Sequence, residues 1–140
     1  MPQVIMVDGN GILHQRMFGS ACHIGVVCDI PTIGVAKKLL YVNGLKEDEV
    51  EDTIRNKLKN KGDFEYLYES NGKSIMGAVL RPTSGSKNPI FVSVGHCLCL
   101  DTALDIVNSC CDEKIPEPIR QADLRSRQVV KSKLKKATKK

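Results

Sequence analysis

The sequence predicts an α/β fold, in which the strands of a central sheet are connected through helices. Two short apolar runs, residues 4–7 and 32–36, lack the polar alternation of a half-exposed strand. Continuous runs of this kind are typical of strands that are buried on both faces. Residues 18–29, between the two runs, repeat apolar side chains at helical spacing. This strand–helix–strand order predicts parallel strands whose polar ends meet at one edge of the sheet.

The first helix follows a polar loop over residues 8–15. Its apolar positions recur every three or four residues, which predicts one side packed on the sheet. We expect that side to carry Ala21, Ile24, Val27 and Cys28.

The middle of the chain predicts a surface helix followed by a hairpin. Residues 47–61 place acids first and bases last, as the helix dipole favours, beside a thin apolar stripe of Val50, Ile54 and Leu58. Strands are then predicted over residues 64–69 and 74–81. Asn71-Gly72 between them is a strong hairpin signal, because both residues tolerate positive φ.

The rest of the chain predicts a loop over residues 83–88, a buried strand over 90–94 and two helices. Pro116-Glu117-Pro118 is expected to be a rigid extended link, and Ile119 begins a helix that runs toward the C-terminus. The helix before the link is indicated by the amphipathic spacing of Leu100, Ala103, Leu104 and Val107.

The charge of the chain is concentrated at its end. The net charge is +5, yet residues 131–140 hold six lysines and no acid, so the remainder is near neutral. We expect one domain over residues 1–127 and a disordered basic tail over 128–140. Such a tail can contact phosphates without sequence preference or act as a nuclear address.

Composition excludes several classes of protein. No apolar run approaches the length of a membrane span, and the first residues lack the basic and apolar regions of a secretory signal. The six cysteines include no C-x-x-C pair, which argues against a zinc ribbon and favours reduced thiols. These features indicate an intracellular protein without a membrane partner.

A carboxylate at the end of a buried strand is the first candidate for chemistry. Asp8 follows the run 4–7 and precedes Gly9 and Gly11. Such an acid is rigidly placed and can hold a divalent metal for phosphodiester hydrolysis. Spacing alone favours the simpler interpretation that Asp8-Gly9 only starts a turn.

Three blocks in one order resemble the endonuclease V family. They are D-G-x-G-x-x-H at residues 8–14, P-T-I-G-V-A-K at 31–37 and P-E-P-x-R-x-A-D at 116–123. The resemblance covers nearly the whole chain, from Val4 to about Arg127. It implies a ribonuclease-H-like fold, in which helices flank a mixed sheet.

The resemblance also implies an activity. Members are metal-dependent endonucleases that cut a phosphodiester one nucleotide 3′ of inosine in RNA or deaminated DNA, with Mg²⁺ as the ion and Mn²⁺ as a substitute. We therefore expect a monomer whose partner is inosine-containing single-stranded RNA or deaminated DNA. The expected location is the cytoplasm and nucleus, including the nucleolus.

The family's motifs carry site residues onto positions of this sequence. The resemblance makes Asp8 and Asp123 metal ligands and, together with Lys37, catalytic residues. Taken alone, each histidine of the region is as well explained by a structural hydrogen bond, and Arg120 either orients its segment or contacts phosphate. The substrate-binding residues that the resemblance implies are Gly9, Asn10, Gly11, His14, His23 and Arg120.

The family's preceding region has no counterpart in these residues. In the family it supplies an early-strand Asp, a Glu, the wedge that fills the gap left by the displaced base, and strands of the sheet. We expect the N-terminal strands to be missing here, with an unpaired sheet edge. The alternative to a nuclease is a catalytically incomplete, truncated product that binds nucleic acid or a partner protein without cleaving.

Overall fold

A five-stranded mixed sheet forms the centre of the computed structural model, which describes residues 1–70, 72–85 and 88–138. The strand order is β1-β2-β5-β4-β3. β1 pairs with β2 in parallel, and every other neighbouring pair is antiparallel. The strands are β1 (Ile5–Asp8), β2 (Thr32–Ala36), β3 (Phe64–Tyr68), β4 (Ile75–Leu80) and β5 (Ile90–His96). The predicted parallel unit and the predicted hairpin strands are confirmed, although Asn71 lies outside the described residues.

Helices cover both faces of the sheet. They are α1 (Ser20–Cys28), α2 (Glu47–Lys57), α3 (Leu100–Ser109) and α4 (Glu117–Thr138). On β5, Ile90 and Val92 enter one core cluster with α3 and the start of α4, whereas Phe91 enters the opposite cluster with α2. Every residue of β2 is buried, as a run without polar alternation predicts. The same prediction is wrong for β1, whose residues are half-buried or exposed because it is an edge strand.

The prediction of which side of α1 faces the sheet is wrong in part. Ala21 is buried, but Ile24 and Val27 are exposed, at 36% and 71%, and Cys28 is exposed as well. The sheet-facing side carries small residues because the helix lies very close to β5: a Cβ on Gly25 would sit 2.2 Å from the Cβ of His96. A prediction from hydrophobic spacing places large apolar residues against the sheet. At this close distance only small residues fit there.

The C-terminal segment also differs from its prediction. α4 begins at Glu117, so the expected extended link is the first helical turn, where Pro118 has no intrahelical hydrogen bond to lose. The expected disordered tail is instead the second half of α4, which stays helical to Thr138. Within the described ranges, no helix is long and apolar enough to cross a membrane.

The sheet is open at both edges in the part of the chain that the structure describes. β1 pairs only with β2, and β3 pairs only with β4. The open side of β1 is consistent with the expectation of an unpaired sheet edge.

Candidate nuclease site

The backbone of Asp8 is held at the end of β1 by pairing with β2. Asp8 is the last residue of β1 and lies opposite Val35 of β2. The next amide, of Gly9, donates to the carbonyl of Val35 at 2.9 Å. The sheet therefore fixes the backbone of Asp8, while its side chain is exposed to solvent and available to a ligand.

The loop after Asp8, residues 9–19 and called the glycine loop below, is pinned against β5. The amide of Gly11 donates to the buried Oγ of Ser93 at 2.8 Å, and the amide of Ile12 donates to the carbonyl of Val94 at 2.9 Å. A Cβ on Gly11 would lie 2.0 Å from that carbonyl oxygen. Packing against β5 is thus a sufficient reason for this glycine, besides any approach to a substrate.

Asn10 presents an acceptor that has no partner among the described residues. Its backbone carbonyl accepts from the amide of Ala21 at 3.1 Å, which ties the loop to α1. Its side-chain Oδ1 is buried and receives no hydrogen bond. Because an unsatisfied buried acceptor costs free energy, Oδ1 is suited to receive a donor from a bound ligand.

The two candidate histidines have local partners. The Nδ1 atom of His14 accepts from the amide of Arg16 at 3.2 Å, and the carbonyl of His14 accepts from Asn43 at 3.3 Å. His23 is exposed on α1, with its ring centroid 6.3 Å from that of Phe18. A hydrogen bond that organises the glycine loop accounts for His14 without a direct role in chemistry.

Lys37 lies at the same end of the sheet as Asp8, where the parallel strands β1 and β2 finish. β1 and β2 run in parallel, and Lys37 comes two positions after Val35, the residue opposite Asp8. It lines an open cavity of about 630 Å³ together with Lys38, Phe91 and Lys114. The lining of this cavity thus includes three lysines and one acid, Glu51, among mostly apolar residues.

The helix that carries Asp123 packs against the strand that carries Asp8. Ile119 of α4 is 3% exposed in the same core cluster that Val4 and Met6 pack against. Asp123 follows one turn later, half-buried, and its Oδ2 lies 3.1 Å from a guanidinium nitrogen of Arg127. The two acids are therefore on elements in contact, and a cation at Asp123 would compete with Arg127.

Arg120 is engaged within its own helix. Its guanidinium donates two hydrogen bonds to the carboxylate of Glu117, at 2.8 and 2.7 Å. Gln121 donates a further one at 2.8 Å. These hydrogen bonds lower the pKa of Glu117 to about 2, and those from Arg120 have the largest effect. Of the two predicted roles of Arg120, this geometry supports the one that orients the start of α4.

The donor set at this edge fits part of a magnesium site. Asp8 and Asp123 offer carboxylate oxygens, the ligand type that Mg²⁺ and Mn²⁺ prefer. Among the residues that the structure describes, no three His, Cys, Asp or Glu side chains converge closely enough to hold a metal. Two carboxylates alone would leave the coordination shell of such a metal incomplete.

Sequence reasoning missed two contacts that shape the site. Ser93 is fully buried in β5 and holds Gly11 in place; its signal is a polar residue inside an apolar strand. His96, at the end of β5, lies 3.3 Å from Asp29, which follows α1. Because these two residues are 67 positions apart, no local pattern could pair them.

Comparison with known proteins shows that most of this chain matches one family. The Endonuclease V family model matches residues 1–124. Mouse endonuclease V is 49% identical over 131 residues, which are 94% of this chain and 38% of the mouse protein. The human protein is 45% identical over 134 residues, 96% of this chain and 47% of its own length. The chain thus spans less than half of either relative.

Solved structures are similar over the same region. The crystal structure of human endonuclease V superposes with a TM-score of 0.90 at 45% identity, over 96% of this chain and 56% of that one. Endonuclease V of Ciona intestinalis, in complex with a 24mer DNA containing an inosine followed by a ribo-adenosine, gives 0.87 at 38% identity. That match covers 94% of this chain and 55% of the Ciona chain. The ribonuclease-H-like fold expected from the motifs is confirmed.

Proposed function

Because the chain belongs to the endonuclease V family, we propose that it carries one part of an inosine-directed endonuclease site. The proposed reaction is metal-dependent hydrolysis of a phosphodiester one nucleotide 3′ of inosine. The proposed substrates are single-stranded RNA or deaminated DNA. An inosine-containing DNA is bound by the Ciona relative, which supports this substrate class.

The observation that carries the proposal is the placement of Asp8. The sheet fixes its backbone, the pinned glycine loop follows directly, and Lys37 lies at the same edge. A preorganised carboxylate beside a cation and an unpartnered acceptor, Oδ1 of Asn10, suits a site for a phosphate and a base. A flipped base held by a rigid loop is a common strategy of enzymes that act at one base.

The three candidate catalytic residues would each have a definite task in this reaction. Asp8 and Asp123 would hold a divalent metal, which supplies an activated water and stabilises the leaving oxygen when it is bound. Lys37 would neutralise charge that develops on the phosphate in the transition state. The glycine loop would fix the inosine and so set the position of the cut.

A second candidate function follows from the incomplete donor set. A chain that brings together too few acidic side chains for a metal site, and that has an open β1 edge, could bind nucleic acid or a partner protein without cleaving. The two functions differ in whether this chain cuts an inosine strand unaided.

The test compares this chain with a chimaera in which the upstream part of mouse endonuclease V precedes residue 1. Both are assayed with Mg²⁺ and with Mn²⁺ on oligonucleotides containing a single inosine or, as the control, guanosine. We expect the chimaera to cut only the inosine strand, and this chain to cut it at least about 100-fold more slowly, since two carboxylates place water poorly. Equal rates would show that other acids of this chain complete the site. A chimaera that cuts both strands equally would refute the proposed inosine specificity.

A further inference from the structure

We propose that the exposed second half of α4 is a rigid surface that holds the single strand on one side of the inosine. This segment, residues 124–138, is called the basic extension below. The inference rests on the proposed function and adds to it the part of the chain that binds the flank of the substrate.

The basic extension is continuous with the helix that carries Asp123. α4 runs without interruption from Glu117 to Thr138, and Ile119 anchors its start in the core. From Asp123 to Thr138 the helix rises about 22 Å, at about 1.5 Å per residue. A rod of this length could follow about 6 nucleotides at about 3.4 Å each. Its direction is set by the same anchor that positions Asp123.

The basic extension is exposed along its whole described length and is strongly basic. Every residue from Leu124 to Thr138 is exposed. No acid follows Asp123, and in the described part of the chain only Arg127 of this segment forms an ion pair. The basic residues of the extension are Arg125, Arg127, Lys131, Lys133, Lys135 and Lys136.

The charge pattern favours a polyanion as the partner. Arg127, Lys131 and Lys135 follow one another at intervals of four residues, so like charges repel along one side of the helix. A strand of phosphates would relieve this repulsion. The extension contains no aromatic side chain, so it offers no platform for base stacking. The contact expected is therefore with the backbone and independent of base sequence.

A protein partner is the other occupant to consider. Val129, Val130 and Leu134 are exposed by 54%, 57% and 61% and could pack against an acidic amphipathic helix. Basic side chains, however, outnumber these apolar ones and surround most of the helix. Nucleic acid is the better fit, and the apolar residues provide a test of the alternative.

The experiment measures binding by the full chain, not cleavage, through fluorescence anisotropy at several salt concentrations. The probes are oligonucleotides with one inosine and a long flank on either the 5′ or the 3′ side, and the same strands without inosine. The charge variant is K131Q/K133Q/K135Q. Its matched control, K46Q/K57Q/K59Q, removes three lysines around α2. Gln128→Pro breaks the extension but keeps its charge, with Gln128→Ala as control.

We expect the parent to bind one flank more tightly than the other in the inosine strands, because the bound inosine fixes the position of the strand, and to show no such difference in the strands without inosine. The charge variant should flatten the slope of log K against log salt by about 2, at about 0.7 per phosphate contact. The control triple should not change this slope. Gln128→Pro should lose the preference for one flank while keeping most of the salt dependence, and Gln128→Ala should keep both.

The proposal would be overturned by no binding at low salt, or by no flank preference in a parent that binds the inosine strands more tightly than the plain ones. An unchanged slope in the charge variant, or a Gln128→Pro variant that keeps the preference, would also overturn it. The variant V130S/L134S replaces two exposed apolar residues of the extension. If it reduces oligonucleotide binding more than the charge variant does, the proposal is also overturned, in favour of an apolar contact. Equal binding of strands with and without inosine would instead count against the proposed base specificity. The salt slope of the charge variant would still decide whether the extension contacts the backbone.

Discussion

The glycine loop and the basic extension adjoin the two candidate metal ligands, yet they are built in opposite ways. The loop after Asp8 is pinned by Ser93 and Val94 of β5, and Gly11 has no room for a side chain. The extension after Asp123 is exposed at every residue. Packing therefore determines what the loop tolerates, whereas charge determines what the extension can do. Substitutions in the loop should change stability, and substitutions in the extension should change binding.

The largest effect expected is that of Gly11→Ala. Its new Cβ would meet a backbone carbonyl oxygen at 2.0 Å, which a side-chain movement cannot relieve. We expect the free energy of unfolding to fall by about 3 kcal/mol. Denaturant titration followed by circular dichroism measures it. Gly85→Ala is the control, because nothing lies within 4 Å of its Cβ and its cost should stay below about 0.5 kcal/mol. Equal costs would remove the distinction between a pinned loop and an open surface.

A pair of serine substitutions compares the two regions with the same chemistry. Ser93→Ala leaves the buried amide of Gly11 without its acceptor and should cost about 1–2 kcal/mol. Ser126→Ala removes only an exposed bond to the carbonyl of Asp123, and alanine favours a helix, so its cost should be near zero. Thermal unfolding of both variants gives the difference. A Ser126→Ala protein as unstable as Ser93→Ala would mean that the extension packs against something.

A smaller effect is expected at the anchored start of α4. The hydrogen bonds from Arg120 lower the pKa of Glu117 from 4.5 to about 2. A carboxyl with a lowered folded-state pKa stabilises the fold above its unfolded value and loses this contribution as the pH falls. The unfolding free energy of the parent should therefore decline more steeply between pH 4.5 and about 2 than that of Glu117→Gln. Glu51→Gln, an exposed site on α2, should follow the parent. Parallel curves for the parent and Glu117→Gln would show that Arg120 does not hold this carboxylate.

The sequence was sufficient where function and fold depend on local pattern. The apolar runs of β1 and β2 place Asp8 and Lys37 at one sheet edge, and the structure confirms this parallel pairing. It was insufficient where spatial neighbours decide. The close approach of α1 to His96 selects small residues, so Ile24 and Val27 lie on the exposed side.

The basic extension is a second region in which a prediction from local sequence was wrong. Its lysines indicate disorder by composition, yet the structure continues α4 through them to Thr138. Basic residues near a helix C-terminus interact favourably with the dipole, and the helix is already nucleated at Glu117. Prediction of disorder from composition does not take into account that these lysines continue a helix that is already anchored in the core.

Asp8→Asn and Asp123→Asn, made in the chimaera with the upstream part of mouse endonuclease V, test most directly whether the two acids form one nuclease site. Cleavage and binding of a single-inosine strand are measured together with Mg²⁺. Because each change keeps size and removes a charge that a divalent ion needs, Asp8→Asn should reduce cleavage by at least about 100-fold and leave binding nearly unchanged. Asp123→Asn should reduce cleavage less. An Asp8→Asn chimaera that cuts at the parent rate would contradict the metal-ligand role of Asp8 and, with it, the site described here.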